Sequence, residues 1–174
     1  MKQWILAFLL GLTCLGAQAQ QAALENSPGY VDFGALDAVY GEPRVMINIG
    51  GILLKLMAAA SHEDPETAQL MSSLEGVRVN VYDTGGESAA ALEQMHRVKG
   101  LLQEQAWQPV VQVREEGEQV QIFMKGDEQG MQGLAVMTVN EEEAVFINIL
   151  GAIDPSQLDK VMHQLNVDID SEGE

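Results

Sequence analysis

Two hydrophobic periods run along this chain, and the change from one to the other divides it. Val45, Ile47 and Ile49 recur at every second position, as a strand requires, until Gly50-Gly51 breaks the pattern. The apolar run 52 to 60 that follows predicts a buried helix. Asp64-Pro65-Glu66-Thr67 reads as an N-cap with proline at the first helical position, and opens a helix carrying Ala68, Leu70, Met71 and Leu74 that stops at Gly76. Val77, Val79 and Val81 alternate with Arg78, Asn80 and Tyr82 as a half-buried strand. Residues 87 to 104 form the longest predicted helix. Leu92, Met95, Val98 or Lys99, and Leu102 follow the spacing of one buried face, while Glu93 and Arg97 sit four apart on the solvent side.

From Trp107 the period becomes two, with strands predicted over 109 to 114, 119 to 125, 133 to 139 and 144 to 150. The polar connections 115 to 118, 126 to 132 and 140 to 143 are short enough to make consecutive strands antiparallel neighbours. Asp154-Pro155-Ser156-Gln157 starts a last helix, with Leu158, Val161, Met162 and Leu165 on one face. Early helices, a late meander and a terminal helix predict an α+β fold: one antiparallel sheet with helices packed on one face.

The first residues belong to neither period. Lys2, the apolar stretch 4 to 12 and Ala17-Gln18-Ala19 have the three parts of a secretory signal peptide, with cleavage expected after Ala19. Residues 20 to 30 read as a flexible leader, 31 to 167 as a single domain and 168 to 174 as an acidic tail. Export to the periplasm or beyond is therefore expected.

Composition sharpens this picture. The chain has 174 residues, 47% of them hydrophobic, with 26 acidic against 9 basic side chains and a net charge of −17. Cleavage would remove Lys2 and Cys14 among nineteen residues, leaving 155 with no cysteine and a charge of −18. Such a protein forms no disulfide, offers no thiolate to a metal and has no cysteine nucleophile. Its acidity argues against nucleic acid as a partner. No later apolar run is long enough to span a membrane.

The segments from Trp107-Gln108-Pro109-Val110-Val111 through Val120-Gln121-Ile122-Phe123-Met124-Lys125 to the late strand ending in Gly151-Ala152-Ile153-Asp154 resemble a family of small exported bacterial proteins catalogued as domain of unknown function four-two-five-two. The likeness runs over roughly residues 44 to 165, and the late strand is its most specific part. It implies an exported domain, with an association to envelope sigma-factor systems, and brings no catalytic residues.

Several motifs imitate chemistry. A hydrophobic strand leading into Asp83-Thr84-Gly85, with Ile149-Leu150-Gly151 later, matches the way dimeric aspartic proteases present a carboxylate that shares one proton with its symmetry mate. A helical pattern follows almost at once, however, where those enzymes are nearly all strand, so a turn into a capped helix is the plainer reading. Gly86-Glu87-Ser88-Ala89-Ala90 imitates a nucleophile elbow, for which Ser88 would need His163 and a carboxylate such as Asp127 or Asp154. Ser88 also reads as a helix cap. Asp168 to Gly173 starts like a calcium loop but lacks the later bidentate Glu, and His62, His96 and His163 have no metal-binding spacing. Met46, Met57, Met71, Met95, Met124, Met131, Met137 and Met162 read as core filling more than copper ligands, with Met131 the exception in a loop. No glycine pair precedes the Lys-Ser or Lys-Thr of a phosphate loop.

A softer signal is the strand face alternate to the core: Gln112, Arg114, Gln119, Gln121, Phe123 and Lys125 combine polar groups with one aromatic, as a surface receiving a partner does. The sequence thus predicts an exported, non-catalytic interaction or sensing domain, with an envelope protein as partner, no cofactor and an open oligomeric state. An aspartic protease using Asp83, or a cation-binding protein using the acidic surface that includes Glu141-Glu142-Glu143, are the alternatives.

Overall fold

The computed structural model describes residues 24–61, 64–86, 88–115, 117–127 and 130–153. The elements run α1 (Leu36–Tyr40), β1 (Val45–Gly50), α2 (Gly51–Ala60), α3 (Pro65–Ser73), β2 (Leu74–Asp83), α4 (Ser88–Glu104), β3 (Gln108–Glu115), β4 (Glu118–Asp127), β5 (Gly130–Asn140) and β6 (Glu143–Ile153). The fold is α+β, with six strands in one antiparallel sheet of order β1-β2-β6-β5-β4-β3. The signal-peptide segment, His62, and everything from Asp154 onward, including His163, the terminal helix pattern and the acidic tail, lie outside the described residues.

Local chemistry sets the element ends. Asp64 caps α3, its carboxylate accepting from the Thr67 amide at 3.1 Å and from the Thr67 hydroxyl at 2.6 Å. That helix ends one residue earlier than its apolar spacing implies, because Leu74 already pairs with Gly151 across the β2–β6 ladder. Beyond α4 the chain reverses at Ala106, held at φ 63°, and the Trp107 amide donates back to the Leu102 carbonyl at 2.9 Å.

The helices cover both sheet faces, where the sequence predicted one. On the first face α1 and α4 enclose Tyr82, Phe123, Ala135, Met137, Val139, Ala144 and Phe146, with Ala91, Met95, Val98 and Leu102 contributed by α4. On the second, Leu54 of α2 and Leu70 of α3 share a cluster with Val77, Val79, Leu134, Val136, Ile147 and Ile149. The physical reason is visible in the central strands: 134 to 137 and 144 to 150 are nearly continuous apolar runs, as in strands buried on both sides.

From Leu24 on, the expected flexible leader lies against the sheet. Leu24 is buried, and the Ser27 hydroxyl donates to the Glu75 carboxylate at 2.5 Å. Val31 and Phe33 enter the first core, followed by Leu36. Gly29 and Gly133 approach so closely that a Cβ on Gly133 would stand 2.6 Å from the Gly29 Cα.

Candidate interaction surface

The carboxylate of Asp83 lies at the outer end of β2, 65% exposed, 3.2 Å from the Arg44 guanidinium. Arg44 also pairs with Glu143, so one cation serves two carboxylates at the sheet's end. Thr84 turns the chain: its amide donates to the Glu142 carbonyl at 3.0 Å and its hydroxyl to the Glu141 carbonyl at 2.5 Å. Gly85 and Gly86 follow with positive φ and lead into α4. A solvated carboxylate neutralised by arginine is a poor arrangement for sharing a proton, which needs two like charges held together away from water. Ile149-Leu150-Gly151, the second protease-like motif, sits inside β6 with Ile149 and Leu150 fully buried.

The other candidates are dispersed. Ser88 begins α4, and Asp127 ends β4, where it accepts from the Gln132 amide group at 2.6 Å. His96 is exposed on α4. Among the described residues no three His, Cys, Asp or Glu side chains gather in a metal-holding cluster. Met95 and Met137 fill the first core, and Met131, expected in a loop, belongs to β5 and is buried on the second face. Glu141 and Glu142 are exposed in the β5–β6 turn, where the Asn140 side chain accepts from the amides of Glu142 and Glu143. An open depression of about 140 Å³ lies nearby, lined by Leu92, Val139 and the carboxylates Glu115, Glu118 and Glu141 among others.

The predicted interaction face is divided. Gln112 and Arg114 are exposed on β3, the last strand of the sheet, and Lys125 is half-buried. Phe123 is fully buried and Gln121 is 3% exposed, because α4 packs over this face of β4. Lys99 of α4 donates to Gln112 at 3.0 Å, closing the helix onto the strand. Phe123 and Gln121 are therefore interior residues, contrary to the expectation that they stand on an open face. The alternation seen in the sequence is real, but this side of it is covered by α4, while Val120 and Ile122 on the other side join the second cluster. The Gln121 Oε1 atom and the Trp107 Nε1 atom on this side are buried without a hydrogen-bond partner.

The exposed apolar surface lies where the sequence predicted burial. On α2 only Leu54 and Ala58, four apart, turn into the sheet. Ile52 is 75% exposed and Leu56 66%, with Leu53 and Met57 also open to solvent. On β1, Val45 is exposed on the sheet face that α2 covers and Met46 on the opposite face. A ten-residue helix laid on a sheet buries one stripe, and the all-apolar sequence of α2 has more than one stripe to bury. That lack of a polar face, with Lys55 its only charge, was the sequence signal for this surface.

Among the described residues no helix is long and apolar enough to cross a membrane. The model of one protein family, described as Domain of unknown function (DUF4252), matches residues 40–161, a span that contains all six strands. No curated protein matches the chain.

Proposed function

Since the chain belongs to the family described as Domain of unknown function (DUF4252), we propose that it is an exported, non-catalytic interaction domain of the bacterial envelope. The observation that carries this reading is the apolar surface formed by Ile52, Leu53, Leu56 and Met57 of α2. Exposed apolar side chains that neighbour one another on one helix face, in a protein of net charge −17, mark a place where another surface is received. Lys2, the apolar segment 4 to 12 and Ala17-Gln18-Ala19 support export. Recovery from the periplasm of a chain beginning at Gln20 checks that half of the proposal.

The interaction half is tested by capture from envelope extract with the wild type, Leu56→Glu and Val110→Lys. Leu56 is exposed on α2 and Val110 is exposed on β3, far across the sheet, so neither change disturbs the core. Specific capture by wild type and Val110→Lys, lost with Leu56→Glu, is the expected result. Equal capture by all three refutes the role of this surface.

A further inference from the structure

The sheet has two end strands, and they are built differently. β3 carries Pro109 and the charged residues Arg114 and Glu115. Proline and charge are the means by which natural sheets keep an edge from pairing with another chain. β1, Val45-Met46-Ile47-Asn48-Ile49-Gly50, has neither within it, since Pro43 and Arg44 precede it and the Arg44 guanidinium is taken up by Asp83 and Glu143, and its Met46 is 63% exposed. The helix above this edge is equally unguarded. α2 packs on β1 and β2 while α3 packs on β2 and β6, so among the described elements α2 is the outermost of its layer and the nearest to the β1 edge.

We propose that this edge pairs with the same edge of a second copy of the chain, β1 against β1, joining two six-stranded sheets into one continuous sheet. The inference rests on the reading of α2 as the interaction surface and names its occupant.

Geometry makes the arrangement self-consistent. Two identical strands that pair antiparallel are related by a twofold axis perpendicular to the sheet, and such an axis does not exchange the two faces. Both α2 helices therefore lie on the same side of the joined sheet, next to the axis, where their apolar side chains meet. A stable pair buries roughly 800 Å² per copy, which calls for the strand edge and the helix face together.

Charge selects the same occupant. The chain carries −17, yet residues 45 to 60 contain a single charged side chain, Lys55. Two copies approaching edge to edge meet where their mutual repulsion is weakest. A basic partner, by contrast, would be steered toward the acidic turns and away from this uncharged edge.

The test is the mass of the full chain by sedimentation equilibrium over a range of concentrations, for wild type, Met46→Lys, Leu56→Glu and Val110→Lys. Circular dichroism accompanies each variant to show that it is folded. The expected result is a wild-type dimer whose dissociation constant rises about tenfold or more in Met46→Lys and in Leu56→Glu, a loss appropriate to placing a charge in a desolvated contact. Val110→Lys, on the guarded edge, leaves it unchanged. A monomer at every concentration, or a dimer indifferent to both substitutions, overturns the second copy as occupant. A monomer that still captures a different protein through Leu56 overturns the pairing and leaves the interaction reading standing. A monomer with no such capture overturns both.

Discussion

The side-chain oxygen of Asn148 accepts a 2.9 Å hydrogen bond from the amide of Val31, 117 residues earlier in the chain. The other end of the same carboxamide donates to the Gly29 carbonyl at 2.9 Å and the Leu134 carbonyl at 3.2 Å. Asn148 is fully buried in β6, and through it the centre of the sheet holds the segment that leads into the first core. Arg78 adds a bond to the Val31 carbonyl at 2.9 Å and stacks its guanidinium 4.5 Å from the centre of the Tyr30 ring.

Asn148→Ala leaves the Val31 amide and two carbonyls buried without their partner, at a cost of about 3 kcal/mol. Urea unfolding should show this as a lowered midpoint. Asn148→Asp keeps an acceptor for the Val31 amide but places a carboxylate beside two carbonyls, so its loss at neutral pH should be at least as large. A midpoint within experimental error of wild type for both variants would contradict the latch.

A second buried relationship predicts alkaline sensitivity. Tyr82 donates to the Asp37 carboxylate at 2.7 Å and Tyr40 to the Ala91 carbonyl at 3.2 Å, in a cluster where their rings stand 5.0 Å apart. Burial raises both phenols above their ordinary value of 10, Tyr40 to about 12, and Asp37 raises Tyr82 further. Above pH 10 the unfolded chain gives up these protons before the folded one does. Stability is thus fully present below pH 10 and falls as pH rises toward 12. Denaturation midpoints between pH 8 and pH 12 should fall less steeply for Tyr40→Phe than for wild type.

Phe123→Ala removes a fully buried ring beneath α4 and should cost about 3–5 kcal/mol. Leu56→Glu, at a position 66% exposed, should change the stability of a single copy, at concentrations below self-association, by about 0.5 kcal/mol or less. Thermal melts of the two decide between the face predicted from strand alternation and the surface found on α2. Similar melting temperatures would remove Phe123 from the core.

Asp83→Asn breaks an ion pair whose partners are 65% and 52% exposed. The expected loss is below about 1 kcal/mol, shrinking further as salt is added. Denaturant melts at low and high ionic strength measure it. A loss of several kcal/mol would show that the Arg44, Asp83 and Glu143 group is far less solvated than its exposure indicates.

How much of this was legible from the chain depends on the range of the interaction involved. The α3 start was readable because Asp64, Pro65 and Thr67 are neighbours and their bonds close within one turn. The meander was readable because β3 to β6 are joined by short polar turns and pair in sequence order. The place of β1 and β2 beyond β6 was not, since β2 reaches β6 only after α4 and three other strands have intervened. Trp107 signalled a change of period, while its burial beside β4 residues became visible only once α4 had been laid over them.

The sequence by itself determined the secondary-structure elements from β1 to β6, the α+β class and the antiparallel meander, because period, capping and turn length are local properties. Only the tertiary structure decided which apolar residues are inside. Phe123, on a strand face that alternation marks as polar, is sealed by α4, whereas Leu56, within a run that composition marks as core, is left open because α2 turns its Leu54 and Ala58 stripe to the sheet. Burial depends on what lies above a residue, and for both of these that is set by packing between parts of the chain many residues apart.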